Sequence, residues 1–430
     1  MKMDSNLPIV DPFQKNGCKW RLLAVLFLVV TLNYGDRTAL TVVFPLLRTD
    51  LGMSDVELGA IGSLFLWSYA LVSPFAGYIG DRVSRASMVI WSLTAWSVVT
   101  GLTGLVSSGH QLLSMRLLLG FSESLYLPAA LGLIAQYHSS KTRATAMGIH
   151  MIGLHLGIVG GGTLAAYLGD RYGWRPAIFV LSGTGLLLAL VCSRVLFRIP
   201  LQRAAAGLKV HSQAPPLRLG QALLQLLGVP SFWVLTGEAM LTSIGIWIFI
   251  NWLPLYFKET FNLTLTGAGF SGTFAITSGS VAGILAGGYL SDILAKRGVR
   301  HRMILQAMFY FVAAPFLLGF LWSPSFTTVS VCIFLFSLLR GLGQANANPL
   351  LCDLLSPKIW SSAVGLMNMI NCLAGGAGIL IAGYLKQYFG LGAVFAGVAA
   401  LVLLAAILLF VGYRVFLKKD LQHRAAVMSS

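Results

Sequence analysis

Charged residues are scarce in this chain. Only 10% of its 430 residues are Asp, Glu, Lys or Arg, against about 25% in soluble domains, and 57% are hydrophobic. Such a composition excludes a water-soluble fold. The five cysteines show no disulfide or metal spacing, so no metal or other cofactor is expected. No nucleophile–base set is apparent either, and we do not expect an enzyme.

Long apolar segments fill most of the chain. An α-helix needs about 20 apolar residues to cross a bilayer. Twelve segments meet this requirement, at 19–46, 57–80, 87–107, 110–137, 144–168, 175–196, 230–256, 267–290, 303–322, 327–352, 361–385 and 392–417. The first is too long and too charged for a cleaved signal peptide. The sequence therefore predicts an all-α integral membrane protein with twelve transmembrane helices.

The net charge of +16 fits a nucleic-acid binder, but the distribution of the basic residues gives another explanation. With a cytoplasmic N-terminus and alternating helices, 22 of the 30 basic residues fall on the inside. The outside holds Arg48, Arg171, Arg175, Lys258 and Lys386. This asymmetry is the positive-inside signal. We expect a multi-pass protein of the inner (plasma) membrane with both termini cytoplasmic, lipid as its surroundings and no nucleic-acid partner.

The two halves of the chain repeat each other. "GYIGD" at Gly77–Asp81 returns as "GYLSD" at Gly288–Asp292, and "LLLGFSESLYLPAA" corresponds to "LLRGLGQANANPLL". Matches in the same order indicate a duplicated six-helix unit, which is the plan of many secondary transporters. The predicted organisation is a cytoplasmic tail at 1–18, a bundle at 19–196, a cytoplasmic linker at 197–229, a second bundle at 230–417 and a tail at 418–430.

Few charges lie at membrane depth. Each costs at least ~2.5 kcal/mol there, so a functional role is the default hypothesis. The charged residues at membrane depth are Asp36, Arg37, Arg116, Glu123, Glu238 and Arg340. At 1.5 Å per residue, Asp36 lies about 15 Å, Arg116 about 9 Å and Glu123 about 20 Å from the outer face. We expect the first four to face one aqueous pocket. The alternative is a charge cluster that only holds helices together.

These residue types suit the binding of an anion together with protons. Arginine stays protonated and binds a carboxylate through two parallel hydrogen bonds, so Arg37 or Arg116 would anchor an anionic substrate. Desolvation favours protonation of a buried carboxyl group, whereas a nearby arginine opposes it. An anion that competes for the arginine would therefore link its own binding to protonation of Asp36 or Glu123.

Several motifs resemble a known family. "GYIGDRVSR" and its partner "GYLSDILAKR" resemble the signature loops of the major facilitator superfamily. "NYGDR", "WSYA", "WSVVTGLTG", "RLLLGFSESLYLPAA" and "INWLPLYFKETFNLTLTGAG" are most similar to its anion:cation symporter family. That resemblance implies symport of an organic anion, such as a sugar acid, with protons by alternating access. It also implies that Asp36 and Glu123 carry protons, that Arg37 binds the substrate carboxylate, and that Arg116 is a charge partner of the acids.

Tyrosine and amide side chains complete the predicted site. Tyr34 and Tyr69 supply hydroxyls where the family commonly has them, in the cavity or in interfacial packing. In the second half Asn251, Asn368 and Asn371 are candidates for binding hydroxyl groups of the substrate, as are Gln344, Asn346 and Asn348. An amide both donates and accepts, which suits a polyhydroxylated substrate. Hydrogen bonding between helices is the alternative for each of them.

Two further charges depart from the family pattern. Arg340 and Glu238 either pair with each other structurally, or Arg340 forms a second anion site for a diacid or a phosphate-bearing anion. Two carboxylates in the first half allow a second proton. Uptake of a monovalent anion is therefore expected to move net positive charge.

The loops and glycines indicate moving helices. We expect Gly77, Asp81, Arg82 and Asp292 to form gating loops. The run "GLHLGIVGGG" at Gly153–Gly162 has small residues four apart, which permits close helix packing.

Two other functions fit parts of the pattern. Spinster-like lysolipid or sphingolipid transporters share the "NY-x-DR" and helix-four patterns, although polar residues in the second half argue against a lipid substrate. A ligand sensor that does not transport is the other alternative, and no extra signalling domain accompanies the helices. We expect a monomer.

Overall fold

The computed structural model is all-helical throughout the residues that it describes, which are 16–80, 83–138, 140–196, 224–295, 300–322, 325–355 and 359–422. The first half contains α1 (Asn16–Val42), α2 (Phe44–Leu51), α3 (Asp55–Gly80), α4 (Arg85–Thr103), α5 (Gly109–Glu123), α6 (Tyr126–Tyr137), α7 (Ser140–Tyr172) and α8 (Trp174–Leu196). The second half contains α9 (Pro230–Phe261), α10 (Leu265–Ala295), α11 (Arg300–Ala313), a 3-10 turn (Ala314–Leu318), α12 (Gly319–Trp322), α13 (Phe326–Gln344), α14 (Ala347–Leu354) and α15 (Trp360–Val415).

The described helices supply twelve membrane crossings. Eleven stretches are long and apolar enough to cross a bilayer. The last of them, Ser362–Val415, has 54 residues, or ~80 Å of helix, which exceeds the thickness of a single bilayer. It breaks at Gly390, whose φ of 74° and ψ of 163° suit glycine. The prediction of twelve transmembrane helices in two six-helix bundles is therefore confirmed.

The predicted tails and linker fall mostly outside the described residues, at 1–15, 197–223 and 423–430. Helix α1 begins at Asn16, slightly before the predicted boundary. The domain boundaries themselves stay predictions.

The fourth and tenth crossings are each broken in the middle, which the sequence segments did not predict. Helix α5 ends at Glu123 and α13 ends at Gln344, and a short turn precedes the next helix in both halves. Pro128 and Pro349 explain the breaks. A proline lacks the amide proton that would bond to the carbonyl four residues earlier, and its ring clashes with that carbonyl. Both halves therefore contain the same break. It places Glu123, the last residue of α5, and Gln344, the last residue of α13, at a similar depth.

Helices α1 and α7 approach each other through glycines, as predicted. A Cβ on Gly161 would overlap the backbone of Gly35, and a Cβ on Gly157 would overlap the carbonyl oxygen of Thr31. The Thr31 hydroxyl also donates to the carbonyl of Gly153 at 3.0 Å. Glycine at these positions is required because the two backbones touch.

Four charged residues join the two halves at one end of the molecule, which we call the closed end. Arg48 follows α1 and binds Asp55 of α3, and its other guanidinium nitrogen lies 2.8 Å from Glu259 of α9. Lys386 of α15 lies 3.0 Å from both Asp55 and Glu259. We refer to these four residues as the ionic cluster. Two of its ion pairs, Arg48–Glu259 and Lys386–Asp55, cross from one bundle to the other, so the cluster favours their contact at this end.

Packing between the halves continues inward from the closed end. Asp170 of α7 accepts hydrogen bonds from the amides of Leu265 and Thr266 at the start of α10, at 3.1 and 2.8 Å. Deeper, the indole N–H of Trp67 donates to the carbonyl of Leu373 at 3.0 Å.

Three glycines near the opposite end have open space around them. A Cβ on Gly148, Gly288 or Gly365 would meet no atom within 4 Å, among the described residues. The inter-bundle bonds named above lie between the closed end and the middle of the molecule.

Candidate functional site

An ion pair between α1 and α5 forms the centre of the site. The Nε of Arg37 lies 2.7 Å from Oε2 of Glu123. Both side chains are buried, with 8% and 0% of their surfaces exposed. The break after Glu123 ends α5 at this level, so the glutamate occupies the last position of a mid-membrane helix end. The sequence predicted similar depths for the charges of α1 and for Glu123, and the two side chains do meet.

Aromatic rings enclose the Arg37 guanidinium. Its Cζ lies 4.5 Å from the ring centroid of Tyr34 and 4.9 Å from those of Phe65 and Tyr69. Rings at these distances stabilise a cation through their electron-rich faces and hold the guanidinium plane in place. Both predicted tyrosines therefore contact Arg37, and the sequence reasoning missed Phe65. The arginine keeps its charge and a fixed orientation in an environment with little water.

Arg116 lies beside this group on α5. Its Nε donates to the carbonyl of Ile61 at 3.4 Å, and its Cζ lies 5.2 Å from the Phe65 centroid. Arg116 and Glu123 are within electrostatic range of each other, as expected for residues two helical turns apart. Phe65 thus contacts both arginines and separates them in the wall of the cavity.

Asp36 faces away from Arg37. Consecutive helical residues point about 100° apart, so the carboxylate enters the interior of the first bundle, where it is 3% exposed. Its polar neighbours are Trp96 and Thr100 of α4, and Arg116 and Glu123 are within electrostatic range. Among the described residues, neither carboxylate oxygen has a partner with standard hydrogen-bond geometry.

A small cavity lies between the halves at the site. Its volume is about 20 Å³, room for about one water molecule. Arg37, Phe65 and Arg116 line it from the first half, and Trp247, Ile250 and Asn251 from the second. The expectation that four charges face one pocket needs correction here: the two arginines line the cavity, whereas Asp36 and Glu123 are buried behind them.

The second half places amide and thiol groups opposite Arg37. Cys372 lies within electrostatic range of Arg37 and Tyr34, and its thiol approaches Oδ1 of Asn368 at 3.9 Å. Asn368 is exposed, and Asn251 donates to the carbonyl of Trp247 at 2.9 Å. Asn371 carries a buried Oδ1 without a partner among the described residues. The sequence predicted the amides as candidate binding residues. It did not predict Cys372 or Trp247, because each lies in an apolar segment with no motif that marks a site.

The predicted direct pair of Glu238 and Arg340 does not form. Arg340 donates to Oε1 of Gln344 at 2.6 Å and to Oγ of Ser280 at 3.2 Å. Glu238 accepts from the Thr242 hydroxyl at 3.3 Å. The two charges lie within electrostatic range of each other. Each forms its hydrogen bonds with different, neutral residues, so no direct ion pair joins α9 to α13 here.

The predicted gating loops are only partly described. Gly77 and Asp292 lie in the last turns of α3 and α10, whereas Asp81 and Arg82 fall outside the described residues. Their role in gating stays a prediction.

Twelve crossings in two repeated halves, with charged residues buried where the halves meet, define a membrane transporter fold. The family model of the Major Facilitator Superfamily matches residues 26–305 and 273–426, and the chain belongs to this superfamily.

Several relatives are similar over nearly their full length. A "Probable galactarate/D-glucarate transporter" of Bacillus subtilis is 25% identical, with 95% of this chain and 96% of the relative covered. One of Escherichia coli is 24% identical, with 93% and 94% covered. The voltage-gated purine nucleotide uniporter of Homo sapiens is 26% identical, with 85% of each chain covered.

Solved structures share the fold. A bacterial homologue of the human lysosomal transporter Spinster, in an inward-facing and unoccupied conformation, superposes with a TM-score of 0.80. It is 20% identical, and the alignment covers 94% of this chain and 98% of that one.

Proposed function

We propose that this protein is a proton-coupled symporter of an organic anion, a sugar acid or another carboxylate, that works by alternating access. The observation that supports this most directly is the Arg37–Glu123 pair at the edge of the inter-bundle cavity. The pair brings an anion anchor and a proton-binding group into direct contact.

Competition for Arg37 provides the coupling. An incoming carboxylate binds the guanidinium and displaces the Glu123 carboxylate from it. A buried carboxylate that has lost its cation is costly to keep charged, so Glu123 takes up a proton. Release of the substrate restores the pair and expels the proton. Because the two binding events share one arginine, each changes the affinity of the other by the same factor.

Asp36 is the second proposed proton carrier. Its carboxyl lies in the bundle interior within electrostatic range of Arg116, which reaches the cavity. A charge change at Asp36 therefore alters how strongly Arg116 attracts an anion. This arrangement links protonation behind the cavity wall to binding in the cavity.

Hydroxyl-bearing acids fit the remaining groups. Two of the relatives named above carry the name "Probable galactarate/D-glucarate transporter", and these two acids have a hydroxyl on each inner carbon. Tyr34 and Tyr69 adjoin Arg37, and Asn251 and Asn368 of the second half provide amides that donate and accept. A lipid substrate would leave these polar groups without partners, which weighs against the lipid-transporter alternative.

Alternating access follows from the uneven contact between the halves. The positive-inside distribution assigns the closed end to the outside, so breaking the ionic cluster opens the outer path. The predicted gating loops at Gly77 and Asp292 lie at the other end. The observed cavity of about 20 Å³ is too small for a sugar acid, so binding requires the bundles to separate around it.

The experiment uses purified protein in liposomes that contain a pH-sensitive dye. Hexuronates, aldonates, aldarates and aromatic acids are added outside in turn. The pH is the same on both sides of the membrane at the start. We expect one class to acidify the lumen. Glu123→Gln should lower the acidification to the share carried by Asp36, because no proton exchanges with the Arg37 pair.

Glu238→Gln is the matched control, since it removes a buried glutamate of the second half that has neutral partners. It should keep most of the acidification. Anion uptake without proton movement would contradict symport. No uptake of any acid by folded protein, with transport of lysolipids instead, would favour the lipid-transporter alternative.

A further inference from the structure

Arg340 of α13 is a buried cation whose direct partners are all neutral. It is 5% exposed, and it donates to Gln344 and to Ser280. Its Nε has no partner within the described residues. Of the carboxylates in that part of the chain, none forms an ion pair with it, and Glu238 acts only from a distance. A buried charge without a counter-ion is costly, so this position favours an anion that arrives from elsewhere.

The duplication shows what Arg340 lacks. Gly120 and Pro128 of the first half align with Gly341 and Pro349 of the second, and the same register aligns Glu123 with Gln344. Each residue ends its helix at the mid-membrane break. In the first half a carboxylate at this position neutralises Arg37, whereas in the second half a neutral amide holds Arg340. The second half therefore keeps an uncompensated guanidinium at the depth of the Arg37 site.

Arg340 also faces the first half. His155 of α7 lies within electrostatic range of it, and its ring Nδ1 is buried without a partner among the described residues. Gln344, which accepts a hydrogen bond from the guanidinium, is exposed and is the last residue of α13. The guanidinium therefore lies close to the first bundle, at the interface between the halves.

We propose that Arg340 is a second carboxylate-binding residue and that the preferred substrate is a diacid held between Arg37 and Arg340. This inference rests on the proposed function, because it assigns the first carboxylate to Arg37. The Gln344 amide orients the guanidinium, and the Ser280 hydroxyl fixes its other side. Closure of the bundles on a diacid then neutralises both arginines at once.

A matched pair of probes tests the second site. Galactarate carries a carboxylate at each end, and galactonate of the same length carries one. In proteoliposomes we expect Arg340→Gln to raise the KM for galactarate about tenfold to a hundredfold, the value of a lost charge-assisted hydrogen bond. The KM for galactonate should change less than about threefold. Arg340→Lys should retain part of the preference because the charge remains.

Gln344→Glu provides an independent variant. It places a carboxylate beside Arg340, as Glu123 lies beside Arg37, so the preference for galactarate should fall although the arginine is intact. Transport of galactonate by each variant shows that the protein is folded. Equal loss of both acids in Arg340→Gln, or an unchanged ratio of the two KM values, would overturn the second site and leave the symport proposal standing. If the unmodified protein transports neither acid, the proposed function fails, and the diacid site with it.

Discussion

Arg37 of α1 and Glu123 of α5, 86 residues apart in sequence, lie 2.7 Å apart between Nε and Oε2 in the middle of the first bundle. The aromatic rings around the guanidinium leave it one charged partner in direct contact, among the described residues. A substrate carboxylate that reaches Arg37 must replace that partner. Coupling between substrate and proton binding depends on this exchange.

Arg37→Lys should weaken substrate binding sharply. A lysine keeps the charge but loses the planar fork and the contact with three rings. We expect the affinity for any transported acid to fall about tenfold or more. Isothermal titration of purified protein measures this. Arg85→Lys, on α4 away from the site, is the control and should bind normally.

Gly161→Ala should destabilise the protein, whereas its neighbour Gly160→Ala should not. The added Cβ at 161 meets the backbone of Gly35, but at 160 it meets no atom within 4 Å. Overpacking of this kind costs about 1–3 kcal/mol, while alanine in open helix gains up to ~1 kcal/mol over glycine. Thermal unfolding in detergent compares the two. Equal melting temperatures would show that α1 and α7 do not touch as described.

The twelve crossings and the closeness of the charges on α1 and α5 could be predicted from the sequence, because hydrophobic length and helical rise determine both. The direct partner of Glu123 could not: Arg116 was expected as the charge partner of the acids, whereas Arg37 forms the ion pair. The direction of Asp36 was predicted wrongly as facing the cavity, because depth along a helix does not define which way a side chain turns. Trp96 and Thr100 beside it lie in α4, and no sequence signal joins α4 to α1.

The ionic cluster was also beyond prediction. Lys386 and Asp55 are 331 residues apart and each lies near a helix end. Their contact depends on how the two bundles dock, which is a property of the whole fold. The breaks near Pro128 and Pro349 could have been predicted, because a proline interrupts the helical hydrogen bonds. Hydropathy alone does not detect them, since the residues on both sides are apolar.

Glu259→Gln should open the closed end more often. The substitution removes the inter-bundle pair with Arg48, and an exposed or half-exposed pair contributes about 0.2–1 kcal/mol. The pair with Lys386, which it also removes, lies within the second bundle. We expect the closed population to fall by up to about fivefold relative to the open one. Spin labels at the exposed Thr49 and Thr260 measure the separation of the bundles.

Asp50→Asn is the control for this variant. Asp50 lies at the same end, but its partners Trp174 and Arg175 belong to its own bundle. It should leave the label distances unchanged. Opening by Asp50→Asn to the same extent would mean that the effect of Glu259→Gln comes from general loss of stability.

Charge movement should depend on the charge of the substrate. With Asp36 and Glu123 each carrying a proton, a monovalent acid enters with one net positive charge, whereas a diacid enters neutrally. Uptake of galactonate should therefore respond to a membrane potential by about 2.3 kcal/mol per 100 mV, and uptake of galactarate should not. Potassium gradients with valinomycin set the potential. A galactonate uptake that is independent of potential would reduce the stoichiometry to one proton.

Proton binding on addition of substrate tests the central claim most directly. Purified protein in weakly buffered detergent solution near neutral pH is mixed with a transported acid at the same pH, and an indicator dye reports protons. Displacement of Glu123 from Arg37 predicts that the medium becomes more alkaline, as the protein takes up protons, and that Glu123→Gln loses the share of this uptake that Glu123 binds. Binding of the acid without a pH change, or an unchanged uptake in Glu123→Gln, would contradict the exchange at Arg37.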